Sequence, residues 1–237
     1  MRSIIMLILV ALSCSPAHAQ VNMGTLSFQM SLPQGGYKKT YPVTGTGLMF
    51  DLVHTFKAGS RWSAGAEFGI LQVSGDDNQY TGYYNNEFNT YVVASWNHII
   101  TLAPILLYRL TPTQNRIQVY AQGTVGTNMF LTTSSISRDL PDYYPVEFRT
   151  KYYYSDNHVS FSLRTGAGLL GTAAIGKHKT TSIVLKGSWL WGSSVKYYAH
   201  PFVQNQEIII YPRQSTTAMF LAQAGIRFGT FNGSHKL

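Results

Sequence analysis

Six charged side chains are the first candidates for chemistry: Asp51, Glu67, Arg109, Arg164, Lys186 and Arg227. Each stands at a polar position of a stretch in which apolar and polar residues alternate. A period of two sends successive side chains to opposite faces of a strand. All six therefore share the face away from the apolar positions. Charges enclosed there must pair or meet water, because an isolated buried charge is very costly. Two readings follow. One is a structural network of ion pairs with water between them. The other is a narrow, anion-preferring pore, since four cations face two anions. Metal and cofactor chemistry find no support. His54, His98, His178, His200 and His235 have no metal-ligand spacing. Gly75-Asp76-Asp77-Asn78 supplies fewer oxygens than the roughly six to eight that calcium takes, and reads as a solvated turn. No glycine loop is patterned to cradle a phosphate.

The second group is aromatic. Tyr83-Tyr84, Tyr143-Tyr144, Tyr152-Tyr153-Tyr154 and Tyr197-Tyr198 cluster between the alternating stretches, with Lys151 and Lys196 beside two of them. Tyrosine offers a large apolar area with a polar tip, suited to recognising proteins or sugars. The alternative is that these rings only pack the connectors on one another.

The elements that must position these residues are eight alternating segments, at about 25–32, 45–56, 62–73, 96–110, 116–130, 158–175, 181–192 and 217–231. Most reach the nine to eleven or so residues that a membrane-crossing strand needs. Pro104 removes a ladder donor and implies a bulge or local break. The connectors alternate in length: 33–44, 74–95, 131–157 and 193–215 are long, whereas 57–61, 111–115 and 176–180 are short. Transmembrane barrels show this rhythm, with long external loops and tight periplasmic turns. Trp62, Tyr108 and Phe228 fall where a lower aromatic girdle belongs, and Phe130, Trp189 and Trp191 where an upper one does.

Composition agrees. Charged residues make up 12% of the 237 residues, against about 25% in globular proteins. Aromatics make up 14%, yet mean hydropathy is −0.04. A chain apolar on one face of every strand and polar on the other has that balance. The formal net charge of +8 lies mainly in connectors, suited to anionic lipid head groups including lipopolysaccharide phosphates. No helix or continuous stripe concentrates it for nucleic acid.

Residues 1–19 read as a secretory signal: Arg2, an apolar run over 4–12, and Ala17-His18-Ala19 before a mature start at Gln20. The rival is a lipoprotein signal around Cys14, but Ala11 stands where such patterns usually carry Leu. Cys14 is the sole cysteine, so cleavage leaves a mature chain without thiol chemistry.

The signal ending before Gln20, the eight-segment rhythm and the last strand Ala224-Gly225-Ile226-Arg227-Phe228-Gly229-Thr230-Phe231 resemble small outer-membrane barrels of the Bacteroidetes type. The architecture is similar to the OmpA and OmpX barrels. In such families a closing strand with a terminal aromatic is read by the barrel assembly machinery, a part that the resemblance gives to Phe231, with Asn232 to Leu237 following. His158-x-Ser160 invites a second comparison, with lipid A deacylases, which carry a His-x-Ser pair toward lipid. Here Val159 and Phe161 take the lipid phase, and no carboxylate lies on the following strand to complete a triad.

The expectation is therefore an all-β chain: a closed antiparallel transmembrane β-barrel of about eight strands over 20–237, in the outer membrane of a Gram-negative bacterium. It is non-enzymatic and without cofactor. Its partners are outer-membrane lipid, lipopolysaccharide and, through the tyrosine-rich loops, an envelope protein that it binds or serves as an accessory subunit. A narrow solute pore is the second reading, a lipid A-modifying enzyme the third, and a soluble lipocalin-like barrel the rival fold.

Overall fold

The computed structural model describes residues 21–40, 44–56, 59–112, 115–138, 151–174, 179–198, 202–209 and 212–231. The expected signal peptide, 1–19, lies outside them, as do Tyr143, Tyr144 and the tail after Phe231.

Alternation builds the strands. They are β1 (Val21–Gln34), β2 (Gly45–Thr55), β3 (Trp62–Tyr84), β4 (Glu87–Arg109), β5 (Ile117–Arg138), β6 (Lys151–Ala174), β7 (Lys179–Tyr198), two short strands β8 (Phe202–Gln204) and β9 (Glu207–Ile209), and β10 (Pro212–Phe231). A six-residue helix, α1 (Gly35–Thr40), follows β1. The ring runs β2–β1–β10–β7–β6–β5–β4–β3, and a β2–β3 ladder closes it. Every neighbour in this eight-stranded ring is antiparallel. Closure leaves no edge whose backbone groups would go unpaired in lipid.

The two faces of the wall sort by parity. Leu26, Phe28, Met30, Leu48, Phe50, Leu52, Phe68, Leu102, Leu106, Val125, Phe161, Leu163, Leu185 and Ile226 all point outward and stay exposed. So many exposed large apolar side chains in a continuous belt belong in a bilayer, not in water. Trp62 stacks on Tyr108 with centroids 4.7 Å apart at the short-turn end. Trp189 and Trp191 stand side by side on β7 toward the other. Phe130, expected in that upper girdle, instead points inward and is 1% exposed. Its parity matches Gln122, Thr124 and Asn128, and parity overrides its place near the membrane rim.

Pro104 produces a break without a bulge. It pairs with Ala66 on β3, while the ladder to β5 skips from Leu102–Thr127 to Ile105–Thr124 in unchanged register.

The largest departure from the expected loops is strand length. Residues expected as the connectors 74–95 and 193–215 lie largely in strands, as do many of 131–157. β3 and β4 stay paired up to Tyr84–Glu87, where Asn85 and Asn86 turn the chain at φ 50° and 65°. Two positive φ values in a two-residue hairpin make a type I′ turn, for which Asn is among the suited residues. Gly75-Asp76-Asp77-Asn78, expected as a turn, pairs with Trp96 to Val93 instead. β5 and β6 stay paired up to Ser137–Lys151. The β8–β9 hairpin leans on this projection through a Tyr83–Glu207 pairing.

Candidate functional site

The lumen is filled in layers, each held by inward positions of several strands. Nearest the short turns lie Met23, Val53, Ile105, Leu107, Tyr120 and Val184. The middle layer is polar, and all six charged candidates point into the barrel and are buried. Above it sit Leu71, Val73, Ile99, Phe130, Leu190, Met219 and Leu221, roofed by Tyr37 and Tyr197. An eight-stranded ring is just wide enough for side chains to fill it in this way.

The middle layer is a linked set of bonds. Glu67 Oε2 accepts from Arg164 Nη2, an ion pair with both partners buried, and from Gln122 Nε2 at 3.4 Å. Lys186 Nζ donates to Asp51 Oδ2 at 3.3 Å and to Gln122 Oε1 at 3.4 Å. Gln122 therefore joins the two ion pairs. Gln223 donates to Gln29 Oε1 at 3.3 Å, and Gln29 donates in turn to the wall carbonyls of Leu48 and Ile70. Arg227 Nε donates to Thr25 Oγ1 at 2.8 Å, and its guanidinium lies 5.6 Å from the Tyr120 ring centroid. Gly168 makes room for that ring: a Cβ there would collide with Tyr120 Cζ and its hydroxyl. Arg109 is tied near the short-turn end, to the Ser60 carbonyl at 3.0 Å and Thr55 Oγ1 at 3.2 Å. The sequence marks the charges. Gln122, which links the two ion pairs, and Gln29 and Gln223, which bond to each other, carry only their inward parity as a signal.

Each of the two buried ion pairs is tied to the other by a further hydrogen bond through Gln122. Both carboxylates are occupied by cations, and apolar layers lie above and below. Among the described residues, no three of His, Cys, Asp or Glu gather within reach of one metal ion. Ser160 faces the lumen, 1% exposed, and its Oγ has no hydrogen-bond partner. Val159 and Phe161 take the lipid side. Among the described residues, no base is hydrogen-bonded to the Ser160 hydroxyl, as a deacylase pair would require.

The second candidate group is spread along the projecting strands. Tyr83 and Tyr84 end β3 at the hairpin tip. Tyr83 is outward and 42% exposed, in edge contact with Phe88 at 5.0 Å; Phe88 is 57% exposed. Tyr84 turns the other way, with Tyr80, onto a small core of Tyr91, Val93, Ile136 and Ile208. Tyr152, Tyr153 and Tyr154 lie in β6 opposite Ile136, Ser135 and Ser134. Tyr198 ends β7 opposite Pro212. Tyr197, expected in a recognition loop, is buried instead. It packs edge-on against Tyr37 at 5.2 Å and shares a hydrogen bond with Ser215 at 2.9 Å. Tyr37 itself, fully buried at the start of α1, corks the mouth. Neither the cork nor the small core beyond it was among the expected sites. Glu87 and Arg138 form an ion pair on the exposed part of the projection.

The fold and the apolar belt define the class: this is a membrane-spanning β-barrel of the Gram-negative outer-membrane type. No family model matches the sequence, and no curated protein matches it. Among solved structures the chain is similar to Ail, the attachment invasion locus protein of Yersinia pestis, solved with the heparin analogue sucrose octasulfate. That likeness has 10% identity over 89% of this chain and 99% of the other, with a TM-score of 0.44. A major outer membrane protein of Thermus thermophilus gives 11% identity, 88% and 99% coverage, and 0.45. The outer membrane protease OmpT of Escherichia coli gives 9%, 90% and 95%, and 0.35. Likenesses this weak extend to a protease and do not sort enzymes from other barrels.

Proposed function

We propose that this chain is a non-enzymatic outer-membrane protein whose projecting strand ends recognise an envelope protein or a surface outside the cell, alone or as an accessory subunit. The observation that carries the reading is the packed projection itself. Paired strands continue beyond the belt, build their own small core, and present Tyr83 and Phe88 to solvent. Exposed aromatic pairs on a rigid support lose little conformational entropy on binding, which favours recognition. The filled lumen favours this role over a conduit, because buried apolar clusters lie on both sides of the linked ion pairs. Lipopolysaccharide contact through basic residues near the mouth, such as Lys38, Lys39 and Lys196, accompanies this reading as the ordinary setting of such a barrel.

The test is a photo-cross-linking side chain placed at Phe88 in living cells, with the same group at Ile226 on the lipid face as control. The reading expects a discrete protein or glycan adduct at Phe88 and only lipid at Ile226. Adducts to lipid alone at both positions would contradict it.

A further inference from the structure

The lumen holds two more cations than carboxylates among the described residues, and the pairing leaves the excess at defined places. Glu67 holds Arg164 and Asp51 holds Lys186. Arg109 sits near the short turns with a carbonyl and a hydroxyl. Arg227 is different. It is 2% exposed, and its contacts are a threonine hydroxyl and the face of an aromatic ring. Neither carries a formal charge; Lys186 lies within electrostatic range of Arg227 and Asp51 within range of Tyr120, but these two already pair with each other. A guanidinium enclosed in this way is very costly unless a counter-charge compensates it. The hydroxyl of that same ring, Tyr120, is also buried without a hydrogen-bond partner.

We propose that the barrel encloses one small monovalent anion, of the size of a halide or formate, held by the Arg227 guanidinium and the Tyr120 hydroxyl. The anion supplies one of the two negative charges by which the described lumen falls short, the one beside Arg227. The apolar layers on either side restrict the site to ions small enough to be trapped as the ring closes. Asp51 Oδ1 and Glu67 Oε1, also buried without partners, are acceptors, so water shares the chamber and separates them from the anion. This inference concerns the lumen and does not depend on the recognition reading.

The experiment refolds the full chain into detergent micelles at constant ionic strength, with gluconate replaced stepwise by chloride, bromide or formate. Stability is read from urea unfolding. A single bound anion raises the folding equilibrium constant about tenfold for each tenfold rise in free anion above its dissociation constant. Arg227→Gln is expected to abolish that dependence, and Tyr120→Phe to move it to higher anion concentration. Crystals grown in bromide are expected to show an anomalous peak beside Arg227. Equal stability in gluconate and in the small anions, or the same dependence in Arg227→Gln, would overturn the proposal. If that variant does not fold, the bromide peak decides, and its absence beside Arg227 overturns the proposal as well.

Discussion

Removing the carboxylate of Glu67 is expected to be among the most destabilising single changes in the barrel. Glu67 is 1% exposed and Arg164 3%. One carboxylate oxygen serves both Arg164 and Gln122. Glu67→Gln keeps the shape and leaves the guanidinium enclosed without its anion, in a lumen already rich in cations. Breaking one side of a buried pair costs about 3–5 kcal/mol. The rim pair Glu87–Arg138 is a built-in control. Its side chains are 57% and 30% exposed, and exposed pairs are worth about 0–1 kcal/mol. The assay is urea unfolding in lipid vesicles, followed by the gel mobility difference between unboiled and boiled protein. The double variant Glu67→Leu with Arg164→Met should recover most of the loss, because an apolar replacement of a buried pair is often neutral. A cost for Glu67→Gln below about 1 kcal/mol, no larger than that of Arg138→Gln, would refute the reasoning.

Other expectations follow from the same geometry. Tyr37→Ala should cost about 3 kcal/mol by opening a cavity against Phe130 and Tyr197, measured by the same unfolding assay. Planar-bilayer recordings of that variant should still show no steady conductance, because Leu71, Ile99 and Leu190 close the layer beneath. Leu185→Arg, on the lipid face, should cost about 2–4 kcal/mol near the bilayer midplane. Tyr83→Ala with Phe88→Ala should change stability by less than about 0.5 kcal/mol, as surface substitutions do, so that any effect on binding is read cleanly. His158→Ala should leave the lipid A mass profile of the cells unchanged.

The membrane-spanning part was legible in the sequence because lipid outside and enclosure inside impose opposite chemistry on alternate residues. Asp51, Glu67, Arg109, Arg164, Lys186 and Arg227 could be placed on the inner face from parity alone. Parity also held the answer for Phe130, which shares the phase of Asn128 although it lies near the rim. Beyond the belt the signal fades. Both faces of the projecting strands meet water or a small core, so Ser74 to Ser95 resembles a polar connector while its backbone stays paired. Two irregularities compound this. Register shifts between Gln72 and Ser74 and between Thr216 and Ala218 mark where the phase of the neighbouring strands changes. Beyond the first, Tyr80 and Tyr84 turn toward the core and Tyr83 away from it. Across from the second, Tyr197 comes to face inward although Trp189 and Trp191, of the same parity, face out. The ion-pair partners were not legible at all: which cation meets which carboxylate depends on strand stagger, which alternation does not encode.

The claim that the projecting strand ends recognise a partner is tested most directly by purifying the tagged barrel from gently solubilised outer membranes and identifying what accompanies it. The account predicts a stoichiometric companion that is lost from the Tyr83→Ala, Phe88→Ala variant, while that variant keeps its unboiled gel mobility. A companion retained in full by the variant, or a barrel recovered with lipid alone, would contradict it.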